Sequence, residues 1–114
     1  MSKQFIHFMS YIIIKTTYPS HKKGEELAKI LLKKKLSACI QILPISSQYI
    51  WQENLINSKE FLLFIKTKKE YYQKIAKIIE NHHEYEVPQI ISIKIDEISA
   101  SYSNWIDKNL INSK

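Results

Sequence analysis

The chain has 114 residues, one cysteine and a formal charge of +6, which allows a single domain with one real core. All 17 basic residues are lysine. The forked guanidinium contacts that read guanine or clamp phosphate are therefore missing, and the charge reads as a solvated surface, with no nucleic-acid partner expected. One cysteine cannot close an internal disulfide.

The apolar stretch over residues 5–14 is broken by His7 and Ser10, lacks a small-residue cleavage site and alternates like a strand. No run approaches the about 20 apolar residues of a membrane helix, so a cytoplasmic protein without a membrane partner is the expectation. Residues 1–10 are expected to form an N-terminal extension and the start of the first strand, and residues 11–114 one domain.

In chain order, residues 11–15 are β-branched and suit a central strand buried on both faces. Pro19 ends it, and Ser20 can cap a helix over residues 21–36, where Leu27, Ala28, Ile30, Leu31 and Leu32 fall at helical spacing. Residues 37–45 return to strand, with Pro44 marking an edge, bulge or bend because it has no N–H to donate. Residues 47–51 continue extended, and residues 54–58 read as a turn.

Residues 61–67 are the most strand-like segment. Thr67 and Glu70 then have the spacing of a capping box, opening a second helix whose inner face is Tyr71, Ile75, Ile78 and His82. Pro88 excludes helix, residues 89–96 alternate as a fourth strand, and Ser99 or Ser101 caps a last helix carrying Tyr102, Trp105, Ile106 and Leu110.

The order β-α-β-β-α-β plus a C-terminal helix is the split β-α-β arrangement: an α+β, ferredoxin-like antiparallel sheet with both main helices on one face. The strands offer Ile and Phe on both sides, and two helices cover only one. The other face is then an association site, so self-association is expected on physical grounds.

Two adjacent histidines, His82 and His83, are the first candidates for chemistry, since imidazole is the commonest metal ligand. The competing reading places His82 on the apolar helix face, complementing the helix dipole. Cys39 stands alone in a strand, where a free thiol is most often a small buried hydrophobe. Glu60 and Lys66 are six apart on one strand and share a face. Beneath Trp51 and Tyr85 they would floor an aromatic-walled pocket for a small anionic or metal-bound ligand. No glycine-rich phosphate loop, HExxH or nucleophile elbow is present. The arginine of an acylphosphatase and the basic-Gly-aromatic strand of an RNA-binding domain are missing too.

The motifs Thr16-Thr17-x-Pro19, Leu36-Ser37-Ala38-Cys39, Tyr49-x-Trp51, Glu60, Lys66-Thr67 and His83-x-Tyr85-x-x-Pro88, in this order and spacing, resemble the CutA family of divalent-cation tolerance proteins from about Tyr11 to Leu110. The resemblance implies a compact homotrimer with sheets facing inward. It implies a His-rich corner at an intersubunit cleft linked with copper: His82 and His83 as ligands, Cys39 second, Thr16 by position only. Tyr49, Trp51, Glu60, Lys66 and Tyr85 line that cleft. Three positions depart from the family's pattern. Glu84 stands where many members have proline, Thr16 where some carry a metal-associated cysteine, and Glu53 near a usual glycine.

The implied function is binding of Cu2+ or another divalent ion and a contribution to heavy-metal tolerance, without chemical turnover. The alternative is a trimeric sensor or scaffold of the PII type binding a small anionic ligand in its clefts, where Lys66 and Glu60 matter more than the histidines. A purely structural assembly is the third class.

Overall fold

The computed structural model describes residues 10–111. The extension expected before Ser10 and the last three residues of the expected domain lie outside them. β1 (Tyr11–Tyr18) leads to α1 (His21–Lys33), then β2 (Cys39–Trp51) and β3 (Asn54–Lys68). A single 3-10 turn (Lys69–Tyr71) enters α2 (Tyr72–His82), followed by β4 (Ile91–Lys94) and α3 (Ala100–Lys108). The sheet order is β2-β3-β1-β4, antiparallel throughout, the ferredoxin-like topology.

Alternation along β1 divides the sheet. Ile12, Ile14, Thr16 and Tyr18 face the helices together with Leu63 and Ile65 of β3. Leu27 and Leu31 of α1 and Ile75 and Ile79 of α2 close over them, all fully buried. Each such side chain contributes roughly 1.5–3 kcal/mol. A Cβ on Gly24 would meet Leu63 Cδ1 at 3.1 Å, so the one glycine lets α1 approach β3 closely.

The opposite face carries Ile13, Leu62, Phe64, Ile91 and Ile93, and Ile91 and Ile93 are nearly half exposed. α3 reaches the Tyr11 end of this face. There Tyr11 donates to Asp107 at 2.9 Å, Lys68 pairs with Asp107 at 2.9 Å and Lys66 Nζ lies 3.4 Å from the Tyr102 hydroxyl. Burial, then the Asp107 carboxylate, pushes the Tyr11 hydroxyl up to about 12.

Several boundaries differ from the sequence expectation, each for a local reason. Ser20 does cap α1, accepting from Lys23 N–H at 3.2 Å. The helix stops at Lys33 rather than running to residue 36, because Lys35 turns left-handed (φ 58°) and Leu36 N–H bonds Leu31 C=O across it. Thr67 is not an N-cap: it stays in β3, and its hydroxyl donates to Leu36 C=O at 2.6 Å. The buried face of α2 is Ile75 and Ile79, with Ile78 and His82 at its half-buried margin. β4 is four residues rather than eight. Ser99, not Ser101, caps α3.

The expected turn over residues 54–58 is strand. The chain reverses at Gln52 and Glu53 (φ 50° and 70°), with Trp51 paired to Asn54. Two successive left-handed residues are the type I′ geometry that Asn-Gly usually supplies. Pro44 lies on the edge strand β2, where a missing N–H is tolerated. Since β1 ends at Tyr18 opposite Phe61, the hairpin beyond residues 44 and 61 has no third strand. It forms a two-stranded arm of seven residue pairs, roughly 23 Å long at strand rise.

Candidate functional site

Where the arm leaves the sheet, the segment after α2 folds back beside it and encloses a groove of ≈ 690 Å³. Tyr49 and Trp51 of β2 form one wall, each 40 % exposed. Their pairing partners Ile56 and Asn54 place them on the same face as Glu60, which is 5 % exposed and lies in the floor. Tyr85 bridges the two sides, its hydroxyl donating to Glu60 Oε2 at 2.6 Å. Burial, and after it the Glu60 bond, raises the Tyr85 hydroxyl above its ordinary value, so at neutral pH it is a donor and not a phenolate. Glu84 and Glu86 add two more carboxylates to the lining.

Four of the five residues expected to share a cleft, Tyr49, Trp51, Glu60 and Tyr85, are thus brought together within one chain. Lys66 stands apart from them. It is six residues along β3 from Glu60, roughly 20 Å at strand rise, and its amine points to Tyr102. Glu60 and Lys66 do share a face, as expected, but they do not form a pair. The lysine that an anionic ligand would need is not at this groove.

His83 adjoins the groove through Thr17 and Tyr85, while His82 turns to the helix side, and both are engaged. His82 is the last residue of α2, while His83 is already extended (φ −76°, ψ 143°), so their rings diverge. His82 Nδ1 meets the Tyr18 hydroxyl at 2.9 Å, and its Nε2 faces Glu26 Oε1 at 3.5 Å. Burial keeps the Tyr18 hydroxyl protonated. His83 Nδ1 accepts from Tyr85 N–H at 3.1 Å. The neutral ring therefore carries its proton on Nε2, which donates to Thr17 C=O at 2.6 Å.

The Thr17 carbonyl has a structural reason to need this donor. Tyr11 C=O, an even number of residues away, bonds Ile95 N–H on the β4 side of β1, so Thr17 C=O points to the same side. β4, however, ends opposite Lys15. The imidazole takes the place of a strand that has run out. It also stacks on Tyr18, centroids 4.0 Å apart and planes at 18°.

The donors named for a metal do not form one site. Cys39 aligns with Lys66 and, through it, with Ile13, four residues along the strand from Thr17, about 13 Å. Thr16 points the other way, under the helices, with 0 % exposure. Its hydroxyl has no hydrogen-bond partner, and a hydroxyl without a thiolate is a poor ligand for a soft ion. Both nitrogens of each histidine already face protein partners. Among the described residues, no three His, Cys, Asp or Glu side chains converge as a metal cage. A resident divalent ion does not fit the donors of a single chain. The orphaned hydroxyl makes a separate expectation. Thr16→Val keeps the shape and removes an unsatisfied buried polar group, so it should raise unfolding stability by about 1 kcal/mol in denaturant titration.

The sequence reading missed Tyr18, Glu26 and the Thr17 carbonyl as partners of the histidines, and Glu86 as a groove residue. Alternation from Ile12 through Ile14 places Tyr18 on the helix side, the one signal that could have found it.

Taken together, a ferredoxin-like α+β domain with a long hairpin arm and an aromatic, carboxylate-floored groove defines the class. The chain belongs to the CutA1 divalent ion tolerance protein family, whose sequence model matches residues 12–109. It is 34% identical over 94 residues to the divalent-cation tolerance protein CutA of Archaeoglobus fulgidus, covering 82% of this chain and 92% of that protein. A solved CutA1 structure from Oryza sativa superposes with TM-score 0.88 at 29% identity, covering 93% of this chain and 98% of the other. The structure of the periplasmic divalent cation tolerance protein CutA from A. fulgidus gives TM-score 0.85 at 33% identity, with 87% and 97% covered. The family and the ferredoxin-like fold expected from the motifs are both borne out.

Proposed function

We propose that this protein contributes to divalent-cation tolerance as a cytoplasmic homotrimer that acts by binding and not by turnover. The tolerance role is supported by relatives that carry that name and match over nearly their whole length. The observation that carries the assembly is the sheet's open face. Ile13, Leu62, Phe64, Ile91 and Ile93 are adjacent there in β1, β3 and β4, a row of apolar side chains that favours burial against a second copy. The arm needs the same thing. A lone two-stranded ribbon is marginal in water, and this one exposes Ile50 at 66 % and Leu55 at 67 %.

Binding of copper or another divalent ion then requires donors from more than one copy, because His82, His83, Cys39 and Thr16 of one chain do not converge. A binding role in place of catalysis is supported by the separation of Cys39 from His83, which leaves the thiol without a base. The reduced, single cysteine favours a cytoplasmic setting.

Solution mass tests the assembly. The wild type should weigh three times the 13.5 kDa of one chain. Ile93→Glu places a charge at a site already 46 % exposed in the single chain, so it should leave the fold intact and shift the mass to one chain. Cu2+ and Zn2+ titrations on the same samples should show saturable binding only for the trimer. A monomeric wild type, or an unchanged mass in Ile93→Glu, sinks the assembly through this face. Equal ion binding by both proteins sinks the shared-donor reading.

A further inference from the structure

The lysines that the sequence reading treats as a solvated surface are gathered by the fold onto one helix. Residues 21–35, α1 and its exit, hold six of the 17 lysines and two glutamates, a net +4 of the chain's +6. Gly24, Leu27, Ala28 and Leu31 face the sheet and are buried. Lys22, Lys29 and Lys33 follow one another at seven and four residues, which aligns them along the opposite, exposed side. The stripe is about 17 Å long at helical rise. Both glutamates are already paired, Glu25 with His21 at 3.6 Å, and Glu26 with Lys23 at 3.6 Å and His82 at 3.5 Å. Residues 27–36 contain four lysines and no carboxylate.

The helix itself has no use for this charge. Lysines in the last turn suit the negative end of the dipole, but Lys22 and Lys23 stand in the first turn, where anions are favoured and no acidic residue is present. Among the described residues, Lys22, Lys29, Lys33, Lys34 and Lys35 form no salt bridge. Five like charges held together repel one another, and the face they make is complementary to an anionic surface. Two exposed apolar side chains adjoin it. Lys35 N–H bonds Leu32 C=O at 3.0 Å, and Lys35 C=O accepts from Ile111 N–H at 2.8 Å. Leu32 (40 % exposed) and Ile111 (41 % exposed) therefore stand at the basic end. Point charges beside apolar tips suit a lipid interface, charged above and apolar below, better than a nucleic-acid backbone.

We propose that the outer side of α1 and its exit, Lys22, Lys29, Lys33, Lys34 and Lys35 beside Leu32, rests on a membrane surface rich in anionic phospholipid. The contact is peripheral, since among the described residues no helix is long and apolar enough to cross a bilayer. A membrane partner is not expected from the sequence because no spanning run exists, and this contact needs none. The amines meet headgroup charge while Leu32 enters the boundary below. α1 lies on the other side of the sheet from Ile13, Phe64 and Ile93, so assembly through that open face leaves the stripe outward. An arm exposing Ile50 and Leu55 gains nothing by covering five amines, because burying an unpaired charge is costly. Each copy in an assembly therefore presents a stripe of its own.

Co-sedimentation of the full-length protein with lipid vesicles tests this. Phosphatidylcholine vesicles containing one-third phosphatidylserine should bind at least tenfold more tightly than phosphatidylcholine alone. That binding should fall at least fivefold between about 0.1 M and 0.5 M salt, as surface charges are screened. Lys29→Gln/Lys33→Gln should weaken it at least tenfold. Lys59→Gln/Lys94→Gln removes as much charge from the arm and β4, and should change it less than twofold. Glutamine is nearly as good a helix former as lysine, so circular dichroism and solution mass should match the wild type for both pairs. Equal binding to the two kinds of vesicle, no binding to either, or the same loss from both variant pairs would each overturn the assignment. So would duplex DNA that binds more tightly than the anionic vesicles and displaces them, since the stripe would then serve a phosphate backbone. The tolerance role is read separately, from ion titration and the mass of Ile93→Glu, and neither result decides the other.

Discussion

His83→Ala is expected to lower unfolding stability by about 2–3 kcal/mol, by the same amount with and without divalent ions. The substitution removes the donor that satisfies Thr17 C=O and the acceptor that satisfies Tyr85 N–H. It also removes a ring stacked on buried Tyr18. Each unsatisfied backbone group costs roughly 1–3 kcal/mol when buried and the stacking roughly 0.5–1.5 kcal/mol, with partial exposure of the ring reducing both. Chemical denaturation of apo and Zn2+-saturated protein measures it. A loss seen only in the metal-loaded protein would make His83 a ligand first and a structural tie second.

The same imidazole sets a pH dependence. Burial, with the neighbouring His82 adding to it, holds His83 below its ordinary value of 6.5. The folded state thus binds this proton less readily than the unfolded chain does. Stability from this group is complete above pH 6.5 and is lost as the pH falls from there through the folded-state value. The difference in melting temperature between wild type and the non-titrating His83→Gln should shrink on acidification from pH 7.5 to 5. A difference constant across that range would mean that His83 does not change its protonation between the two states.

The histidine pair also marks where sequence legibility ends. The strands and helices were legible because their apolar residues recur with periods of two and 3.6, as Ile12, Ile14, Leu27 and Leu31 do, and burial rewards that pattern directly. Groove residues Tyr49, Trp51, Glu60 and Tyr85 were legible as a group because their order and spacing resemble a family, although 36 positions separate Tyr49 from Tyr85. What His82 and His83 bind was not legible. Adjacency in sequence suggests a shared ligand, yet the helix ends between them and sends the rings to different partners. His83's partner is a carbonyl exposed only because β4 stops short, a fact of tertiary length with no local signature.

Thr67 failed in the same way. Thr-Lys-Lys-Glu has the spacing of a capping box, but a buried Leu36 carbonyl competes for the hydroxyl and wins. The hairpin turn was misplaced because Asn54, Asn57 and Ser58 are residues that favour turns. Leu55 and Ile56 between them continue the strand, one on each face of the arm.

Tyr85→Phe should cost about 2 kcal/mol, the second large effect, because it strands one oxygen of a carboxylate that is 5 % exposed. Hydrogen bonds to charged groups contribute roughly 1.5–3 kcal/mol, and the penalty for leaving the charge unmatched is at the upper end of that range. Glu60→Gln keeps an acceptor and lowers the charge, so it should lose about 1 kcal/mol. Combining the two should lose less than their sum, a coupling of about 1 kcal/mol in a double-mutant cycle read by urea denaturation. The coupling has a dynamic consequence as well. This bond joins the segment after α2 to the arm, so Tyr85→Phe should also speed amide hydrogen exchange over residues 84–89 while that of the core strands β1 and β3 changes little. Additive losses with unchanged exchange would mean that the wall is held by Tyr85 packing on His83, whose ring centroid lies 4.7 Å away, and that the hydroxyl serves the carboxylate alone.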